Sequence, residues 1–164
     1  MKIYGVTGWK NAGKTGLMER LVTEITDRGY SVSTVKHAHH DTDVDQPGRD
    51  SYRHRQAGAT QVMLSSPRRW ALMQELRDAP EPALSELLTH LGPVDLVLIE
   101  GYKKETHQKV EAFRQENGKP PLAARNPTIR AIATDTPGLK ADLPEFDLND
   151  TVAIADFILR EVGL

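Results

Sequence analysis

Gly8-Trp9-Lys10-Asn11-Ala12-Gly13-Lys14-Thr15 decides the fold, because it matches G-x-x-x-x-G-K-[ST] and has the flanks that motif needs. Residues 2–7 before it read as a short buried strand. Residues 16–25 after it carry apolar side chains at 17, 18, 21, 22 and 25, one face of a helix. Strand, glycine loop and helix N-terminus together make an anion cradle. Unpaired backbone N–H groups and the positive end of the helix dipole converge there on phosphate. Lys14 adds a point charge, and the Thr15 hydroxyl can ligate Mg²⁺. The expected phosphate-side residues are Gly8, Lys10, Asn11, Ala12, Gly13, Lys14, Thr15 and Gly16.

Outward from the loop, helices and strands alternate. Gly29 is the expected helix C-cap, and residues 31–36 read as the second strand. Residues 51–57 form a short helix capped by Asp50 or Ser51, and residues 61–65 and 70–73 are two strands about a turn at Pro67. A helix over 83–91 precedes the nearly continuous apolar run 94–101, the mark of a central parallel strand. Residues 109–113 alternate and suit an edge strand, also a candidate for pairing between subunits. A strand over 129–135 and a final helix capped by Asn149 or Asp150 complete the chain. The expected fold is α/β, a mostly parallel sheet with flanking helices and a small antiparallel edge, in a single domain over 1–164.

Ligands of such sheets sit at the carboxyl ends of the strands. Glu100 ends the apolar strand and is therefore the expected Walker B acid on the Mg²⁺ side. Asp95 opens the same strand and falls roughly 16 Å away, at the wrong end. The densest polar cluster, residues 37–51, holds His37, His39, His40, Asp41, Asp43, Asp45 and Asp50. A transition-metal site is one reading. A switch-type loop offering carboxylates to nucleotide-bound Mg²⁺ is the preferred one, since that hard cation takes oxygen ligands. Asp45 is its metal-proximal carboxylate. The chain has no Asn-Lys-x-Asp; Asp135 ends a late strand where a carboxylate could accept from guanine, although a plain turn aspartate serves there equally well.

Composition sets the remaining bounds. The 164 residues carry a net charge of −2 with no long block of one sign, so no nucleic-acid or membrane surface is implied. Cysteine is absent, which excludes disulfides and thiolate zinc sites. No apolar run approaches a membrane span, and the first strand begins within two residues, without space for a signal peptide. A cytoplasmic protein is expected.

The segment from Val35-Lys36-His37 to Gln46-Pro47-Gly48-Arg49-Asp50-Ser51-Tyr52 resembles the Lys-His-x-x-His-Asp…Asp-x-Pro-Gly-Lys/Arg-Asp-Ser stretch of the MobB family of molybdopterin-guanine dinucleotide biosynthesis adaptors. Arg69–Met73, Glu100-Gly101-Tyr102-Lys103 and Ala133-Thr134-Asp135 look like that family too. The resemblance implies a P-loop NTPase fold of the signal-recognition/MinD/BioD group that binds GTP and Mg²⁺, forms a homodimer and hydrolyses GTP weakly. It implies as partner MobA, the enzyme transferring GMP to molybdopterin. Gly8 and Lys10 to Thr15 carry over as phosphate-loop positions, and Asp45 and Glu100 as metal-side acids. The MinD-like loop has its signature lysine directly after the first glycine; here that residue is Trp9, so dimer-dependent hydrolysis through such a lysine does not carry over.

Two other readings stay open from the residues. A small-molecule kinase or ATP-dependent ligase shares the phosphate loop and the acidic strand end. A non-catalytic metal-binding module would use His37, His39 and His40. No glutamine or arginine stands out as a water-positioner or arginine finger. Such a finger is worth ~10³–10⁵ in rate, so unassisted hydrolysis is expected to be slow and no catalytic residue is assigned.

Overall fold

The computed structural model describes residues 1–38, 43–139 and 142–164. In chain order its elements begin with β1 (Lys2–Thr7), α1 (Lys14–Asp27), β2 (Val32–Lys36), α2 (Asp50–Gln56), β3 (Gln61–Ser65) and β4 (Trp70–Gln74). There follow α3 (Leu84–Thr89), β5 (Leu96–Glu100), β6 (Lys109–Phe113), β7 (Ile129–Thr134), β8 (Glu145–Asp147) and α4 (Thr151–Val162). The backbone comprises two compact units, Met1–Ala38 with Gly92–Leu164, and His39–Leu91.

The first unit is built on a six-stranded sheet in the order β2-β5-β1-β6-β7-β8, with every pairing parallel. All five residues of β5 are buried, which is why its sequence runs apolar instead of alternating. One face of the sheet presents Tyr4, Val6, Leu96, Leu98, Val110 and Ala112. Leu17, Leu21 and Ile25 of α1 and Ile154, Ala155 and Ile158 of α4 close over it, each set one apolar stripe of its helix. Asp150 caps α4 by accepting from the Ala153 amide at 3.1 Å, as one of the two expected caps. Arg20 ties α1 to the start of α4 through the Thr151 hydroxyl (2.9 Å) and the Leu148 carbonyl (2.7 Å).

β6 is not an edge strand. It lies between β1 and β7, and all five of its residues are buried. Its alternation is real, but the polar residues face inward to partners. Glu111 accepts from the amides of Leu122 (2.7 Å) and Ala123 (2.8 Å). Lys109 donates to the carbonyls of Glu105 and His107 and to the Thr128 hydroxyl. A strand in this position cannot pair between subunits. The edges of the sheet are β2 and β8, and β8 was not anticipated.

In the second unit β3 and β4 form their own antiparallel sheet, from Gln61↔Gln74 to Ser65↔Trp70. The antiparallel component of the fold is this hairpin. It exposes Met63, Leu64, Trp70 and Leu72. α2 starts at Asp50 with Arg49 as its cap residue, so neither Asp50 nor Ser51 caps it. Ser51 donates instead to Asp45 at 2.9 Å. Arg55 gathers Asp43 (2.7 Å), Asp45 (3.2 Å) and Glu75 (2.6 Å) around one guanidinium. Among the described residues no helix is long and apolar enough to cross a membrane.

Candidate functional site

The phosphate loop leaves β1 at the centre of the sheet, so its backbone has little space. Gly8 has φ 146°, and a Cβ there would lie 2.3 Å from the Ala112 carbonyl oxygen of β6. Only glycine fits this approach. Asn11 and Gly13 also take positive φ (63° and 88°) and turn the chain into α1. Gly13 caps α1 without a side chain, so the amides of the first turn have no intrahelical acceptor. Lys14 Nζ donates to the Trp9 carbonyl at 2.7 Å, spanning the loop. Burial pushes the Lys14 ammonium below its ordinary value; Glu100 opposes this, and Lys103 and Lys36 add to it. An anion arriving in the loop would offset both effects by attraction to the ammonium.

Glu100 stands at the carboxyl end of β5, level with Val6 of β1 and Lys36 of β2. It is buried, with Oε1 3.4 Å from the Thr15 hydroxyl and Oε2 3.5 Å from Lys36 Nζ. Two adjacent octahedral Mg²⁺ ligands at ~2.1 Å stand about 3 Å apart, so the Thr15–Glu100 pair has nearly the spacing and the oxygen chemistry to fit that cation. Asp95 sits at the far end, accepting from the Ser31 amide (2.8 Å) and hydroxyl (2.6 Å), and those bonds hold its carboxyl below the usual range. Next to Glu100, Gly101 (φ 95°) turns the chain beside His37, whose ring stacks on Tyr102 at 4.4 Å.

Trp9 has its side chain anchored away from the loop's amides. Its indole N–H donates to the Pro120 carbonyl at 2.9 Å, and Lys103 and Lys119 lie 4.8 and 4.5 Å from the ring. The same segment is held from below by Glu111, through Leu122 and Ala123. A buried carboxylate in β6 thus orients the strap that fixes the second residue of the phosphate loop. Neither Lys36 nor these two lysines was picked out from sequence. Their partners are 64 to 110 residues away, and no local pattern announces such contacts.

The other expected residues are distributed as follows. Asp45 lies in the second unit, where Arg55, Ser51 and the Gln46 amide take up its carboxylate. His39, His40 and Asp41 lie outside the described residues, and among the described ones no three His, Asp or Glu side chains are grouped to hold a metal. Asp135 is exposed just beyond β7, accepting from the Thr136 hydroxyl at 3.1 Å. Lys10 is exposed on the loop and Gly16 lies in the first turn of α1.

Comparison with known proteins agrees with this arrangement. Residues 3–135 match the family model MobB, molybdopterin guanine dinucleotide synthesis protein B. The molybdopterin-guanine dinucleotide biosynthesis adapter protein of Escherichia coli (strain K12) is 40% identical over 161 residues, which cover 96% of this chain and 91% of that protein. Its counterpart of the same name in Haemophilus influenzae is 40% identical over 95% of this chain and 86% of its own length. The crystal structure of a MobB protein homolog from Bacillus stearothermophilus superposes with a TM-score of 0.74 at 30% identity, covering 99% of both chains. A six-stranded parallel sheet carrying this loop, matched over nearly its whole length by such relatives, belongs to the MobB family.

Proposed function

We propose that the protein is a GTP-binding adaptor in molybdopterin guanine dinucleotide synthesis. It would act in the cytoplasm as a homodimer and assist MobA, the enzyme that attaches GMP to molybdopterin. The observation that carries the nucleotide half of this reading is the uncapped start of α1 beside Lys14, with Thr15 and Glu100 3.4 Å apart. Membership of the MobB family supports the pathway, and the exposed apolar side chains of the β3–β4 hairpin are compatible with a protein–protein contact.

In this reading the first-turn amides and Lys14 hold the β- and γ-phosphates, with Gly8, Lys10, Asn11, Ala12, Gly13 and Gly16 shaping the loop. Mg²⁺, when bound with the triphosphate, neutralises charge between those phosphates. Thr15 and Glu100 would hold it, with Lys36 beside the outer Glu100 oxygen at 3.5 Å. Asp45 is assigned to the metal side as well, which requires its carboxylate to leave Arg55. Asp135 reads guanine, since a carboxylate accepts from the N1–H and 2-amino group that adenine lacks. Nothing in the loop supplies an arginine to the γ-phosphate, so the isolated protein turns over far less than once per second.

Titration with GTP, ATP and GDP, with and without Mg²⁺, tests this directly on the wild type, Lys14→Ala and Glu100→Ala. GTP binding should be lost in Lys14→Ala and should lose its Mg²⁺ dependence in Glu100→Ala. Equal affinity of the wild type for all three nucleotides would undercut the guanine assignment.

A further inference from the structure

Arg114 follows β6 directly and continues it in extended conformation (φ −133°, ψ 128°). Strand alternation puts it on the same face as Val110 and Ala112, the side on which α1 packs. There its guanidinium lies against the phosphate loop. A Cβ on Gly13 would stand 3.4 Å from Arg114 Nε, 3.6 Å from its Nη2 and 3.3 Å from Leu148 Cδ2. Arg114 Nε is buried and has no hydrogen-bond partner among the described residues, whereas Nη1 reaches Glu116 at a long 3.4 Å. A buried donor without a partner is rare, although the Arg114 side chain as a whole is 39% exposed, so its charge also meets solvent and Glu116.

The direction of the nucleotide follows from the sheet order. Glu100 and Thr15 hold the metal side, toward β5 and β2. On the nucleotide reading, this leaves the side over β6 and β7 for the nucleoside. Phe113 pairs with Thr134, so Arg114 and Asp135 each directly follow the last paired residues at the carboxyl ends of these strands. Leu148 closes the group by donating its amide to the Thr134 carbonyl at 2.9 Å.

We propose that Arg114 is a nucleoside-binding residue whose planar guanidinium stacks on the purine face, beside Gly13, while Asp135 takes the purine edge. The inference rests on the nucleotide reading above and adds to it the group that holds the base by its face. A stacked cation is indifferent to which purine it covers, whereas an edge carboxylate is not. The two residues therefore divide affinity from selectivity.

Fluorescence or calorimetric titration of the wild type, Arg114→Ala, Arg114→Lys and Asp135→Asn with GTP, ATP and inorganic tripolyphosphate separates these roles. Arg114→Ala should weaken GTP and ATP in the same proportion, by about tenfold, and leave tripolyphosphate unchanged. Arg114→Lys should not restore the loss, because a lysine offers no planar face. Asp135→Asn should change the GTP-to-ATP ratio instead. Retained tripolyphosphate binding shows in the same experiment that the loop is folded. An equal loss of tripolyphosphate makes Arg114 a phosphate ligand and overturns the stacking role, as does unchanged GTP affinity in Arg114→Ala. Failure of the wild type to bind any nucleotide overturns the underlying reading as well.

Discussion

At the scale of single residues, Gly8 and His107 are tightly constrained, and each gives a measurable consequence. Gly8→Ala forces a Cβ to 2.3 Å from a carbonyl oxygen of the central strand β6, so the loop must shift off the sheet. Nucleotide affinity should fall at least tenfold in titration; an unchanged affinity would mean that the loop tolerates displacement. His107 packs on Gly5, with its Nε2 buried and without a hydrogen-bond partner among the described residues. Burial, with Lys109 beside it, lowers its pKa from 6.5 to about 4. A base whose folded pKa is depressed binds more protons when unfolded in that window. Its contribution is therefore intact above pH 6.5 and is lost as pH falls toward about 4. The thermal midpoint should drop across that range, and His107→Gln, neutral throughout, should flatten this part of the decline.

At the scale of elements, β6 shows what the sequence concealed. Lys-Val-Glu-Ala-Phe alternates as an edge strand does, yet β6 is central because Lys109 and Glu111 find partners under the sheet. Those partners come from residues 105–107 and 122–128, segments without regular periodicity, so nothing local to the strand foretold them. Glu111→Ala leaves the amides of Leu122 and Ala123 without their acceptor, at ~1–3 kcal/mol for each. Urea unfolding should show a clearly lower midpoint, with a smaller loss in Glu111→Gln; equal stability of Glu111→Ala would remove the anchoring role. By contrast β1, β5, α1 and α4 were legible, because a continuous apolar run or a helical stripe encodes burial directly. The phosphate loop and Glu100 were legible for a related reason: their positions follow from motif spacing and strand ends. The Arg114 contact and the Trp9 strap were not, since they depend on which strands become neighbours.

At the scale of the whole molecule, the first unit is a phosphate-loop domain, and the second holds two short helices and a hairpin, with Arg55 tying its Asp43, Asp45 and Glu75 together. Asp45 lies in the second unit, held there by Ser51 and Arg55. If its carboxylate serves Mg²⁺, Asp45→Asn weakens Mg²⁺-dependent GTP binding in titration. If it serves only Arg55, the variant loses thermal stability and keeps its Mg²⁺ dependence. The chain contains two tryptophans, Trp9 in the first unit and Trp70 in the second. Trp9 is part of the phosphate loop itself, and the Lys14 ammonium that should turn to a phosphate is hydrogen-bonded to the Trp9 carbonyl. Replacing Trp70 by Phe therefore leaves one indole, anchored on the Pro120 carbonyl next to the cradle with two ammonium groups against its ring. A change in that single indole's emission on adding GTP would report occupancy of the loop without any label, and an unchanged emission would show that the indole does not sense it.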